Sequence, residues 1–202
     1  MLHIPSNAEG LVLFAHGSGS SRLSPRNNYV ASVLQRHGLA TLLFDLLTEN
    51  EDLVYETRFN IELLTNRLIA VTQWIKAQKD ASALYLGYFG ASTGAASALR
   101  AAAFYGDRIK AVVSRGGRAD LAYTELHKVT APTLLIVGGW DDVVIQLNKT
   151  AYDALECERK LEIVPEASHL FEEMGKLEQV ADISAKWFKR WLTAKTDKNV
   201  QG

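Results

Sequence analysis

The chain has 202 residues, 48% of them apolar, with 22 basic and 23 acidic residues and a formal net charge of −1. That length suits a single domain with a sizeable core, and the apolar fraction is too high for a disordered chain. The balanced charge argues against a nucleic-acid binder or a polybasic membrane protein; the single cysteine, Cys157, excludes an intrachain disulfide or a cysteine metal cluster, and no apolar run approaches the roughly 20 residues that cross a bilayer.

The first residues, MLHIPSNAEG, lack the basic-then-apolar layout of a signal peptide, so a cytoplasmic protein is expected. GLVLFAH (10–16) reads as a buried strand. SPRNNYVASVLQRHG (24–38) reads as a helix with Ser24 as N-cap, Pro25 in the first turn, His37 at the negative end of the dipole and Gly38 as its stop. LATLLFD (39–45) is the next strand, followed by a polar stretch. In 61–78, Leu64, Leu68, Val71 and Ile75 recur at three- and four-residue steps, which predicts a helix. SALYLGYFG (82–90) is a strand and TGAASALRAAAFYG (93–106) a helix; IKAVVSRGG (109–117) is a strand leading into a long connection. TLLIVGG (133–139), VVIQLNKTAYDALE (143–156), KLEIVPE (160–166) and KLEQVADISAKWFKRWLTA (176–194) read as strand, helix, strand and closing helix. The polar tail 195–202 is expected to fray. Trp74, Trp187 and Trp191 stand at helical spacings and are expected to pack.

Strands alternating with helices predict an α/β fold: one domain over 1–194 with a mostly parallel sheet covered on both faces. Ligands of such sheets gather at the carboxyl ends of the strands. His16-Gly17-Ser18-Gly19-Ser20, Gly90-Ala91-Ser92-Thr93-Gly94, Ser114-Arg115-Gly116-Gly117-Arg118, Gly138-Gly139-Trp140-Asp141-Asp142 and Glu166-Ala167-Ser168-His169 all fall there.

Gly90-Ala91-Ser92-Thr93-Gly94 fits G-x-S-x-G between a strand and a helix, the setting of a nucleophile on a sharp elbow whose neighbours must be small. Serine needs a base to take its proton, and the base needs an orienting acid. Of five histidines, only His169 follows a late strand downstream of an acidic strand end, and Ser92, Asp141, His169 run in α/β-hydrolase order. Either Asp141 or Asp142 could be the acid by position; the other suits the N-cap of the helix predicted from Val143. His16 reads as a buried histidine bonded to its loop.

The motifs LFAHGSGSS, GYFGASTGAA, LLIVGGWDDVV and VPEASHLFEE resemble those of the α/β-hydrolase superfamily, and within it the dienelactone hydrolase-like group. The resemblance extends over nearly the whole chain. It implies Ser92 as nucleophile, His169 as base, Asp141 as acid, and an oxyanion hole from the backbone N–H groups of Thr93 and Ser18. It departs in its nucleophile, since dienelactone hydrolases proper use a cysteine, and in its first strands. The early antiparallel strands of fuller hydrolases are expected to be reduced or missing. Only 118–132 is available where lidded hydrolases insert a cap, so a minimal, open site is expected.

Arg115, one strand from the elbow, could aim a guanidinium at an anionic substrate group, or tie loops together. Arg118, Arg22 and Arg26 pose the same question, with Arg118 favoured as a tie and Asp45 as a partner for one of these arginines. Trp140 could line the site. No metal-ligand constellation, phosphate-binding loop or dinucleotide fingerprint is present, so neither metal nor cofactor is expected. The partner expected is a small-molecule acyl substrate rather than nucleic acid or membrane; homodimer formation is compatible with the sequence. The leading expectation is a serine hydrolase of esters or related acyl bonds. The alternative is a non-catalytic hydrolase-fold module that binds a ligand or partner, which a complete set of Ser, His and Asp disfavours.

Overall fold

The structure is a computed structural model in which residues 1–194 are described; the tail assigned to 195–202 lies outside the described residues. Seven strands form one sheet in the order β1-β3-β2-β4-β5-β6-β7. They are β1 (Leu2–His3), β2 (Gly10–Ala15), β3 (Ala40–Leu43), β4 (Tyr85–Ala91), β5 (Ile109–Arg115), β6 (Thr133–Gly138) and β7 (Arg159–Val164). The last six run parallel, and β1 alone is antiparallel, pairing with β3. This two-residue strand forms an antiparallel edge too short to show any alternation in sequence.

Strand side chains alternate between two cores. Leu11, Leu13, Tyr88, Val112 and Leu135 face one side, where they meet Leu64 and Leu68 of α3 (Ile61–Lys76) and Leu99 of α4 (Thr93–Tyr105). Val12, Phe14, Phe89, Val113 and Ile136 face the other, where α1 (Pro25–Arg36) contributes Val30 and Leu34 and α6 (Lys176–Trp191) contributes Val180 and Phe188. Burial on both faces explains why the strands read as continuous apolar runs. The alanine-rich stretch after Ser92 has a packing reason: Ala95, Ala96, Ala98, Ala101 and Ala102 are all fully buried, which lets α4 lie close to the sheet and its helical neighbours.

Two stretches left as connections carry short helices. Thr48 and Glu51 form a reciprocal capping box on α2 (Glu49–Asp52), so the T-x-x-E pattern was legible. A 3-10 turn over Tyr55–Phe59 follows. The connection beyond β5 winds into a 3-10 segment, Ala119–Lys128, that buries Ala122 and Leu126.

Two expectations shift. Helix α5 (Asp142–Ala154) starts one residue early, so Asp142 lies inside it and Asp141 holds the N-cap position. Trp74 is 52% exposed: at its place on α3 the core-facing stripe is already filled by Leu64, Leu68 and Ile75. Trp187 does pack, edge-to-face with Trp191, and its Nε1 donates to the Pro132 carbonyl at 3.3 Å.

Candidate active site

Ser92 has φ 49° and ψ −120°, a positive φ that non-glycine residues seldom adopt. The strain is held by packing and by backbone bonds. The Ser92 N–H donates to the Arg115 carbonyl on the neighbouring strand at 3.2 Å, and the Ser92 carbonyl accepts from Ala95 and Arg118. A Cβ on Gly94 would collide with the Ala15 carbonyl, and one on Gly90 would stand 2.5 Å from the Ala95 Cα. Both glycines are therefore required for α4 to begin this close to β2 and β4. Thr93 is the first residue of α4, so its N–H is one of the first-turn amides left without a partner inside the helix, at the positive end of its dipole.

The loop after β2 lies directly against the elbow: a Cβ on Gly17 would stand 3.0 Å from the Ser92 Cβ. His16 governs that loop. It is buried, with Nδ1 3.0 Å from the Gly17 carbonyl and Nε2 3.0 Å from the Leu46 N–H. A carbonyl only accepts and a backbone N–H only donates, so Nδ1 carries the proton and Nε2 is bare. Burial holds the His16 pKa below the ordinary histidine value, against smaller opposing effects from the Gly17 bond and Asp52. The Gly17 carbonyl also accepts from Ser20 at 3.2 Å. In a trans peptide the C=O and the following N–H point in opposite directions, so fixing this carbonyl also fixes the Ser18 N–H.

The acid and histidine loops are adjacent because β6 and β7 pair up to Gly138 and Val164. A Cβ on Gly138 would press on the carbonyls of Ala167 and Ser168, so this glycine leaves the room that the histidine loop fills. Asp141 Oδ2 lies 2.6 Å from His169 Nδ1. The carboxylate accepts, so Nδ1 carries the proton and Nε2 is left as the acceptor. The loop is anchored on both sides of His169. Phe171 is buried at φ 57°, Glu173 accepts from the Ser168 N–H at 3.1 Å, and Glu172 pairs with Arg26 at 2.8 Å. The Ser168 bonds hold the Glu173 carboxyl below its usual range. His169 reaches back over β5, for a Cβ on Gly116 would stand 3.4 Å from its Cε1. Ser92 is thus bonded to Arg115 while His169 lies over Gly116, the next residue of the chain.

The other sequence candidates fall in different places. Trp140 is 64% exposed on the rim beside Asp141. Arg115 is only 7% exposed and turns toward α1, where its Nη2 meets Asn27 Oδ1 at 3.5 Å while Nε and Nη1 are covered and unpartnered. Burial first, and the nearby Arg26 charge second, pull its pKa down to about 10. Arg118 clamps Asp120 with two bonds of 2.9 and 2.8 Å, and Arg22 pairs with Asp45, so both act as ties. Arg58 was not singled out in the sequence; it bonds Asp52 and comes within 3.6 Å of a Cβ placed on Gly19, beside the loop after β2. No local pattern marks it, since its place depends on the fold of 46–60. Among the described residues no helix is long and apolar enough to cross a membrane.

No protein-family model matches the chain. The dienelactone hydrolase of Anabaena variabilis ATCC 29413, known from a crystal structure, is 54% identical, superposes with a TM-score of 0.93, and is matched over 95% of this chain and 91% of its own. Est1E of Butyrivibrio proteoclasticus, 18% identical with a TM-score of 0.80 over 94% of this chain and 92% of its own, shares the fold. A Mycobacterium tuberculosis protein provisionally named a phosphoribosyl transferase is 56% identical over 187 residues, 93% of this chain. This chain spans only 42% of that relative's length. With the identity to the Anabaena protein running nearly end to end, and the parallel sheet and elbow already described, the chain belongs to the dienelactone hydrolase family of α/β-hydrolases.

Proposed function

We propose that the chain is a serine hydrolase that cleaves a carboxylic ester or related acyl bond through Ser92, His169 and Asp141. The observation that carries this reading is the 2.6 Å contact of His169 Nδ1 with Asp141, in a loop that reaches Gly116 beside a strained Ser92. Ser92 Oγ attacks the substrate carbonyl carbon and gives its proton to His169 Nε2. Asp141 holds the imidazole in that tautomer and stabilises the imidazolium. The developing oxyanion sits between the Ser18 and Thr93 N–H groups. The tetrahedral species collapses, the leaving alcohol takes the proton from His169, and the acyl group stays on Ser92. A water molecule then attacks the acyl carbon, its proton passes to His169, and the carboxylic acid leaves as Ser92 regains a proton. Asp141 is the acid in this reading because its carboxylate makes the contact, while Asp142 is the first residue of α5.

The 3-10 segment Ala119–Lys128 is too short to form a cap, which favours small or surface-presented esters. Trp140 would meet the substrate from the rim. Arg115 is retained as the contact for a substrate anion, a role that requires its two covered, unpartnered donors to be uncovered when substrate binds. In this reading, a phosphoribosyl-transfer activity of the mycobacterial relative would belong to the part of it that this chain does not match. The protein is taken as cytoplasmic and compatible with homodimer formation.

Fluorophosphonate labelling tests the nucleophile: the chain is expected to label, and Ser92→Ala to abolish both labelling and ester turnover. Labelling that persists in that variant removes Ser92 from the reading. For Arg115, Arg115→Met is expected to raise KM for an acidic ester about tenfold over its neutral analogue, the scale of one charge-assisted contact. Equal effects on both esters would make Arg115 a structural residue.

A further inference from the structure

A cavity of about 560 Å³ lies at the other end of the sheet from Ser92. It opens at the amino ends of β4 and β5, roughly 20 Å along the seven-residue β4 from the elbow. Its volume falls within the range of small-molecule sites. Leu84, Leu86, Ile109 and the ring of Tyr105 give it apolar walls. Its polar lining is cationic on balance: Lys76, Arg108 and Lys110 against one acid, Asp107. Among the described residues none of the three cations has an ion-pair partner. Lys76 donates to the Ser82 carbonyl; Arg108 stacks 4.8 Å over the Tyr105 ring and donates only its Nε, to the Tyr105 carbonyl.

A local irregularity builds this lining. In the β4–β5 ladder Leu86 pairs with Ile109 and Gly87 with Ala111, so Lys110 is the extra residue of a β-bulge. The bulge breaks alternation. Ile109 joins the α3/α4 core with Val112, whereas Ala111 and Val113 join the opposite core. In a regular strand Ile109 would share the face of Ala111 and Val113, and Ile109 and Lys110 would not both line one cavity. Bulges of this kind re-aim side chains at sheet ends.

We infer that this cavity is a second ligand site, for a small carboxylate with a flat apolar body, held by the walls around Leu86 and Ile109 and by the unpaired cations Lys110 and Arg108. The inference rests on the ester-hydrolase reading only for its meaning: an ester hydrolase releases such an acid. Occupied from the far end of the sheet, the site would bind that acid without entering the reaction centre.

The test uses 3-phenylpropionate and its uncharged amide as probes. Binding to the Ser92→Ala chain is followed by amide NMR shifts. The expected result is shifts clustered on 83–86 and 105–110, with the amide bound about tenfold more weakly than the acid. Lys110→Gln and Arg108→Gln, each checked for an unchanged melting temperature, are expected to bring the acid down to the amide's affinity; exposed Lys76→Gln serves the same purpose if either variant fails to fold. No binding, shifts confined to 16–20 and 169, equal affinity for acid and amide, or unchanged affinity in the charge variants each overturn the site. If the chain binds the acid here yet does not label with fluorophosphonate, the carboxylate site stands and its meaning as a product site falls.

Discussion

Two loops at the carboxyl edge of the sheet each carry a histidine whose Nδ1 is hydrogen-bonded, yet they can do different work. After β2, both His16 nitrogens are spent on backbone groups, Gly17 O and Leu46 N–H, and the ring is buried. After β7, His169 spends Nδ1 on Asp141, and its side chain is 38% exposed. An imidazole with both nitrogens committed can hold a loop but has no site for a substrate proton. One with a carboxylate behind it and a bare Nε2 in front can act as a base. The chemistry of a histidine is thus set by what its second nitrogen meets.

If His169 is the base, His169→Gln should cost the most: a fall in kcat of at least about 10,000-fold, with little change in melting temperature for so exposed a ring. Steady-state kinetics on a neutral ester checks it, and a fall below a hundredfold would end the contrast with His16. Next in size, Asp141→Asn should lower kcat about 10,000-fold or somewhat less, since an amide favours the wrong tautomer, while Asp142→Asn should stay within tenfold of the parent. The reverse ranking would move the orienting acid to Asp142.

His16→Phe keeps an aromatic ring but frees the Gly17 carbonyl and the Leu46 N–H. It should lower kcat by about 100- to 1,000-fold, the cost of losing one oxyanion donor, and lower the melting temperature as well, with KM little changed. A stability loss with full kcat would show that the Gly17–Ser18 peptide needs no such holder.

The smallest effect is on acid stability. Folded His16 resists protonation, whereas in the unfolded chain it takes up a proton near the ordinary value of about 6.5. The unfolded state then binds more protons below that value, so the contribution of His16 is complete above it. It is lost as pH falls through about 6.5 and levels off below the lowered folded value. Urea midpoints at pH 7.5 and 5 should differ more in the parent than in His16→Phe; equal differences would show that His16 is not the group responsible.

Much of this was legible in the residues. Apolar runs and three- to four-residue periodicity marked the strands after β1 and the long helices. The small residues of Gly90-Ala91-Ser92-Thr93-Gly94 marked the elbow, because its sterics are local: Gly90 meets Ala95 and Ser92 takes the strained φ itself. The chain order of Ser92, Asp141 and His169 could be read for the same reason, each following its own strand. Tertiary structure alone decided the rest, because it depends on partners far off in sequence. The contact of Asp141 with His169 spans 28 residues, and the loop-holding bond of His16 reaches Leu46, 30 residues on. The turn of Arg115 toward Asn27 spans 88 residues. The bulge at Lys110 exists only in the pairing of β5 with β4, where one unpaired residue carries a cation to the mouth of a cavity that no local pattern foretells.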